Sequence, residues 1–129
     1  MKAGCELDAL VAEKVMGAYW TERENVCRIL WNADGVEMVM EEWYEKDWVP
    51  STAPLPEYST RIQDAWLVVE KMASEHSYGV EKDNVPLPLD KPKYECYFVH
   101  DAEDSIYRAR ADTAPLAICL AALKAVEVT

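Results

Sequence analysis

Phenylalanine occurs once in this chain, glycine four times and histidine twice, and only 13 Lys and Arg stand against 24 Asp and Glu. Each scarcity removes a class of function. With glycine confined to positions 4, 17, 35 and 79, the chain has no GxGxxG and no P-loop to cradle a phosphate. The shortage of cations leaves a formal net charge of −11. That sum disfavours sequence-independent binding to DNA or RNA, whose affinity comes from basic side chains neutralising phosphates, although it is compatible with a local basic pocket. No apolar run approaches the roughly 20 residues that span a bilayer, and the opening lysine is followed by an acidic amphipathic stretch rather than a secretory signal. Neither direct nucleic-acid binding nor a membrane partner is therefore expected. The four cysteines (Cys5, Cys27, Cys96, Cys119) form no pair at metal-ligand or redox spacing. Cys96, in a strand-like run, and Cys119, on an apolar helix face, read as small buried hydrophobes in a reducing compartment. Zinc signatures, a nucleophile elbow and kinase motifs are missing as well. No cofactor, metal ligand or catalytic residue is assigned.

What is present is the composition of an ordinary soluble globule, 50% apolar and 29% charged. Residues 1–129 make one domain, long enough to bury about two-thirds of the unfolded surface. A first helix is predicted over residues 4 to 16, with Leu7, Leu10, Val11 and Val15 on one face and Gly17 as a left-handed stop. Val26 to Trp31 reads as a strand, Asn32-Ala33-Asp34-Gly35 as a turn, and Val36 to Tyr44 as the returning strand; Glu and Met in that last stretch also permit a helix. Pro50 to Pro56 is a stiff extended connector. A second helix starts at Ser59 or Thr60, where Thr60 and Gln63 form a capping box, continues through Ile62, Trp66, Val69 and Met72, and gives Trp66 and Val69 to the core. It frays near Ser74, and a second proline-broken stretch runs from Val85 to Pro92. Tyr94 to His100 and Ser105 to Arg110 then flank an acidic turn, Asp101 to Asp104. The last helix is announced by Asp112 or Thr113 as cap and Pro115 in the first turn, and its face is Leu116, Cys119, Leu120 and Leu123.

Two groups of side chains are candidate ligand contacts. Four of the five tryptophans fall between Trp20 and Trp48. Trp31 and Trp66 read as core, whereas Trp43 and Trp48 flank Glu45-Lys46-Asp47 just before the proline connector, where rigid rings serve as stacking or hot-spot anchors. Arg108 and Arg110 share one strand face by the period-two rule, and an open face with two guanidinium forks can grip a phosphate or carboxylate. The plainer readings are a covered sheet face for the rings and surface ion pairs for the arginines. His100 beside Asp101 offers a held imidazole tautomer, but no nucleophile is placed near it, and a solvent-facing strand end is the simpler account. The acidic clusters Glu41-Glu42, Glu81 to Asp83 and Asp101 to Asp104 lack calcium-loop spacing and read as solvated loops.

Three blocks of residues carry a family resemblance. They are Leu7-Asp8-Ala9-Leu10-Val11-Ala12-Glu13-Lys14-Val15-Met16-Gly17, then Tyr58-Ser59-Thr60 leading to Ala65-Trp66-Leu67-Val68-Val69-Glu70-Lys71, and last Ala111 to Lys124. In order and content they resemble the phage ABA sandwich domain family, small proteins of bacteriophages and prophages. The resemblance implies an α+β fold, a three-layer α-β-α sandwich of three helices with a small, mainly antiparallel sheet, working in the cytoplasm of the host bacterium. It supplies no activity and no catalytic residues. The departure lies between Gly17 and Pro56, where this chain is longer and richer in tryptophan. The functional expectation is a non-enzymatic accessory protein, a homo-oligomer that sequesters a host-derived ligand such as a nucleotide immune signal through Trp43, Trp48, Arg108 and Arg110. The alternative is an acidic, DNA-mimic-like inhibitor that docks on a host protein, and behind it a small hydrolase using His100.

Overall fold

The computed structural model describes residues 2–23, 27–44, 47–50, 56–83 and 92–127. In chain order these form α1 (Cys5–Lys14), β1 (Tyr19–Arg23), β2 (Cys27–Trp31), β3 (Glu37–Tyr44), β4 (Asp47–Pro50), α2 (Ile62–Met72), β5 (His76–Lys82), β6 (Tyr94–His100), β7 (Ile106–Ala111) and α3 (Ala114–Glu127). The three helices and the antiparallel pairing match expectation. The strands are shared between two sheets, β1-β2-β3-β4 and β5-β6-β7, and every pairing joins strands adjacent in sequence. The fold is an α+β sandwich.

Local chemistry explains most element ends. Gly17 takes φ 80°, and the chain turns so that the Ala18 N–H reaches the Ala12 carbonyl at 2.9 Å. The β2–β3 turn is closed by Asn32, whose Oδ1 accepts from the N–H groups of Asp34 and Val36, both at 2.9 Å, with Gly35 at φ 83°. A register shift between Leu30 and Trp31 leaves one extra residue on β3. Thr113 caps α3: its Oγ1 accepts from the Leu116 N–H at 3.4 Å and its carbonyl from Ala117.

The start of α2 differs from expectation. Its N-cap is Arg61 and no side chain caps it, so the Thr60–Gln63 capping box is not formed. The preceding residues instead make a turn on the Glu57 carbonyl, and Asp64 Oδ2 accepts from the Glu57 N–H at 2.8 Å. The buried face of α2 is Ala65, Val68, Val69 and Met72. Ile62 is 52% exposed, and Trp66 is 43% exposed, which corrects the placing of Trp66 in the core. The cause is size. α2 packs against α3, and α3 presents Ala117, Ile118, Ala121, Ala122 and Ala125 as buried residues, so a small-residue face permits the closer approach. Leu116 and Leu120 are accordingly only partly buried, while Cys119 and Leu123 keep their expected places.

The core is one cluster around α3. It takes Leu7, Val11 and Val15 from α1, the small face of α2, and Cys96, Phe98, Ala109 and Ala111 from β6 and β7. The other sheet contributes the fully buried Leu30, with Trp20 and Met38 packed against the cluster. A polar latch closes the helical side. Asp8, 4% exposed, accepts on Oδ1 from both the N–H (2.8 Å) and the hydroxyl (2.7 Å) of Ser59, and the Ser59 hydroxyl accepts from the Gly4 N–H at 2.9 Å. One serine thereby serves the free start of α1 and anchors the segment before α2. Burial, then Asp64 and Asp8, raises the Tyr58 hydroxyl above its ordinary pKa beside this latch.

Candidate functional site

Of the four sequence candidates, Trp43 and Trp48 are direct cross-strand partners on β3 and β4. Arg108 and Arg110 stand on β7, in the other sheet. The candidates are thus two pairs on separate sheets.

The arginines do share the open face of β5-β6-β7, as the period-two rule requires, and both are ion-paired. Arg108 Nη1 lies 3.3 Å from Glu95 Oε1, with its guanidinium 5.8 Å from the centre of the Tyr97 ring. Arg110 pairs with Asp83. The Arg108 side chain is 61% exposed, so its pair is screened and worth little to stability. Tyr97 lies flat over Gly79 of the neighbouring strand, where a side-chain carbon would overlap the ring. The open face is therefore a layer of cross-strand contacts rather than a concave site.

Concavity occurs at the edge of that sheet. A cleft of about 390 Å³ runs between α1, β7 and α3, lined by Leu10, Ala109, Arg110, Leu120, Leu123, Lys124 and Glu127. Lys124 Nζ donates to the Arg108 carbonyl at 2.7 Å, which fixes its ammonium on the β7 edge. Lys124, Glu127 and the Asp83-paired Arg110 then border an apolar wall of three leucines. Lys124 was not a sequence candidate; its place in the last turn of α3 gave no sign that the helix ends against β7.

The histidines form a pair that their separation in sequence hides. His76 and His100 are partners across β5 and β6, with ring centres 5.0 Å apart and nearly perpendicular. His100 Nδ1 lies 3.2 Å from the N–H groups of Ala102 and Glu103 and accepts from both, so the ring proton is placed on Nε2. Asp101 instead accepts from the Ser77 hydroxyl at 3.1 Å. This is the reverse of a catalytic dyad, in which Nδ1 donates to a carboxylate. His76 Nδ1 lies 3.2 Å from the Met72 carbonyl, which requires it to donate there. Among the described residues no group of three His, Cys, Asp or Glu is gathered that could hold a metal ion. Burial pushes the thiols of Cys96 and Cys119 up to about 12, with Glu95 adding to the first and Asp8 to the second. A thiol so raised is protonated and inert as a nucleophile.

The sequence reading also missed a stack in the four-stranded sheet. Arg28 lies 4.6 Å over the Trp20 ring, and its Nε and Nη2 both reach Glu41 Oε2, at 2.7 and 2.6 Å. Arg28 and Glu41 are direct partners across β2 and β3. Trp31 is half-buried, with its indole N–H donating to Thr21 Oγ1 at 2.9 Å.

Fold and clefts define a small α+β sandwich with grooves at the flanks of its helices. The phage ABA sandwich domain profile matches residues 9–123, and the chain belongs to that family. It is similar in structure to a phage protein from Bacillus cereus ATCC 14579 known from a 2.0 Å crystal structure, at a TM-score of 0.60 and 26% sequence identity, covering 98% of this chain and 93% of that one. No curated protein matches it. None of the described helices is long and apolar enough to cross a membrane.

Proposed function

We propose that this phage protein is a non-enzymatic binding module that sequesters a small anionic ligand of the host, of the nucleotide-signal type, and so acts in counter-defence within the host cytoplasm. The observation that carries the reading is the cleft at the β7 edge, lined by Lys124, Glu127 and the Asp83-paired Arg110 beside Leu10, Leu120 and Leu123. Lys124, joined by Arg110 when it exchanges Asp83 for the ligand, suits a phosphate group, and the leucine wall suits the apolar part of the same molecule. Arg108 supports the site through its carbonyl, which holds Lys124, rather than through its guanidinium. Trp43 and Trp48 belong to strands of the other sheet. The cleft is open, and a homo-oligomer in which a second copy closes it is part of the reading. Binding alone requires neither cofactor nor metal.

The test is thermal unfolding of the purified protein with cyclic dinucleotides, cyclic trinucleotides and ADP-ribose derivatives. A binder at 100 times its dissociation constant stabilises by about 2.7 kcal/mol. The ligand should be recovered chemically unchanged, and Arg110→Gln and Lys124→Gln should each remove the stabilisation. Retained stabilisation in both variants, or recovery of a cleaved ligand, overturns the proposal.

A further inference from the structure

A second trough, of about 500 Å³, separates α1 from the four-stranded sheet. Glu6, Ala9, Leu10 and Glu13 line it from the helix, and Trp20, Arg28 and Glu41 from the strands. We propose that this trough docks an extended, basic segment of a host protein.

The charge on its walls is settled by the stack already described. Arg28 places two nitrogens on Glu41 and lies on Trp20, so these three side chains form an internally neutral wall, fixed in place. Opposite stand Glu6 and Glu13, neither of which makes an ion pair among the described residues. Among the described residues the trough thus has an aromatic and apolar lining and two carboxylates, Glu6 and Glu13, without an ion pair. That combination suits Lys and Arg, whose alkyl stems lie on apolar surface while their heads meet carboxylates. The same carboxylates repel phosphate. At a distance, the net charge of −11 steers basic partners towards the molecule.

Geometry narrows the partner further. Glu6 and Glu13 are seven residues apart on one helix, two turns, which puts them about 10 Å apart along its axis. A polyproline-II segment advances about 3.1 Å per residue with three residues per turn. Two cations three positions apart therefore fall on one side of it, about 9 Å apart, opposite the two carboxylates.

The experiment is calorimetric titration of the whole protein with an eight-residue proline-containing peptide carrying two arginines three positions apart. Controls are the same peptide with adjacent arginines, the peptide with glutamates in their place, and free arginine. The first peptide should bind, and binding should fall at least tenfold in the double variant Glu6→Gln, Glu13→Gln and on raising salt. Glu103→Gln, which removes one charge elsewhere, and Arg110→Gln, in the other cleft, should leave it unchanged. Ala9→Phe, which fills the trough without altering charge, should abolish it. No binding, equal binding of the adjacent-arginine peptide or of free arginine, or equal loss in Glu103→Gln overturns the proposal.

Discussion

The three-stranded sheet sends Cys96, Phe98, Ala109 and Ala111 into the core against α3, whereas the four-stranded sheet contributes Leu30 as its one fully buried described side chain. The first sheet is held by interdigitated packing along two strands. Among the described residues the second is anchored by Leu30, with Trp20 and Met38 packed against the cluster, by the stack on Trp20 and by its own hydrogen bonds. The segment from Gly17 to Pro56 contains all four of its strands. On the described residues, the three-stranded sheet carries the larger share of the core.

Substitutions can break this contrast. Phe98→Ala should cost about 3–5 kcal/mol in denaturant unfolding. Leu30→Ala should cost about 3 kcal/mol, with a different signature: faster hydrogen exchange in β1 to β3 while β6 and β7 stay protected. Loss of protection in both sheets together would show that they unfold as one unit and that the contrast is wrong. Asp8→Ala comes next, at about 2–3 kcal/mol, because it strands the buried N–H and hydroxyl of Ser59. Ser59→Ala should cost a similar amount and the double variant far less than the sum; additivity would show that the latch is not a unit.

The smallest effect is alkaline. Cys96 and Cys119, both in the tightly packed half, have thiols raised by burial from an ordinary 9.0 to about 12. Between those values the unfolded chain releases protons that the folded chain keeps, so stability is full below pH 9 and falls as pH rises towards 12. The loss is about 1 kcal/mol per thiol over the first unit above pH 9. Alkylation gives the matching contrast between sheets: half-buried Cys27, on β2, should react under native conditions, and Cys96 and Cys119 only after unfolding. Equal reactivity of all three would remove the distinction.

Much of the framework is legible in the sequence because it is encoded locally. Leu7, Val11 and Val15 at helical spacing, Asn32 to Gly35 in the turn, Thr113 before Pro115, and the alternation either side of Asp101 to Asp104 each carry their own signal. The strands that escape the reading, β1, β4 and β5, owe their form to partners. β5 contains glycine, histidine and two charged residues, and it is a strand because β6 lies beside it. The face of α2 is misread because two stripes fit its sequence. The larger one, with Ile62 and Trp66, is the more hydrophobic, but the smaller one fits the alanines of α3. The same division governs the sites. That Arg108 and Arg110 share a face follows from alternation, whereas their partners Glu95 and Asp83, the approach of Lys124, and the meeting of Arg28 with Glu41 depend on strand register and on where α3 ends. The β7-edge cleft joins α1 to elements nearly a hundred residues away, and no local pattern announces either cleft.

The bond from Lys124 to the Arg108 carbonyl has a consequence for life in a crowded cell. β7 is the outermost strand of its sheet, and an outermost strand invites any other extended chain to pair with it, the first step of aggregation. With the ammonium seated on the Arg108 carbonyl, one backbone acceptor on that strand is already occupied, and an intruding strand must first displace a positive charge. The guard leaves the strand paired on one side only, so the sheet ends at β7 rather than continuing into a neighbouring chain.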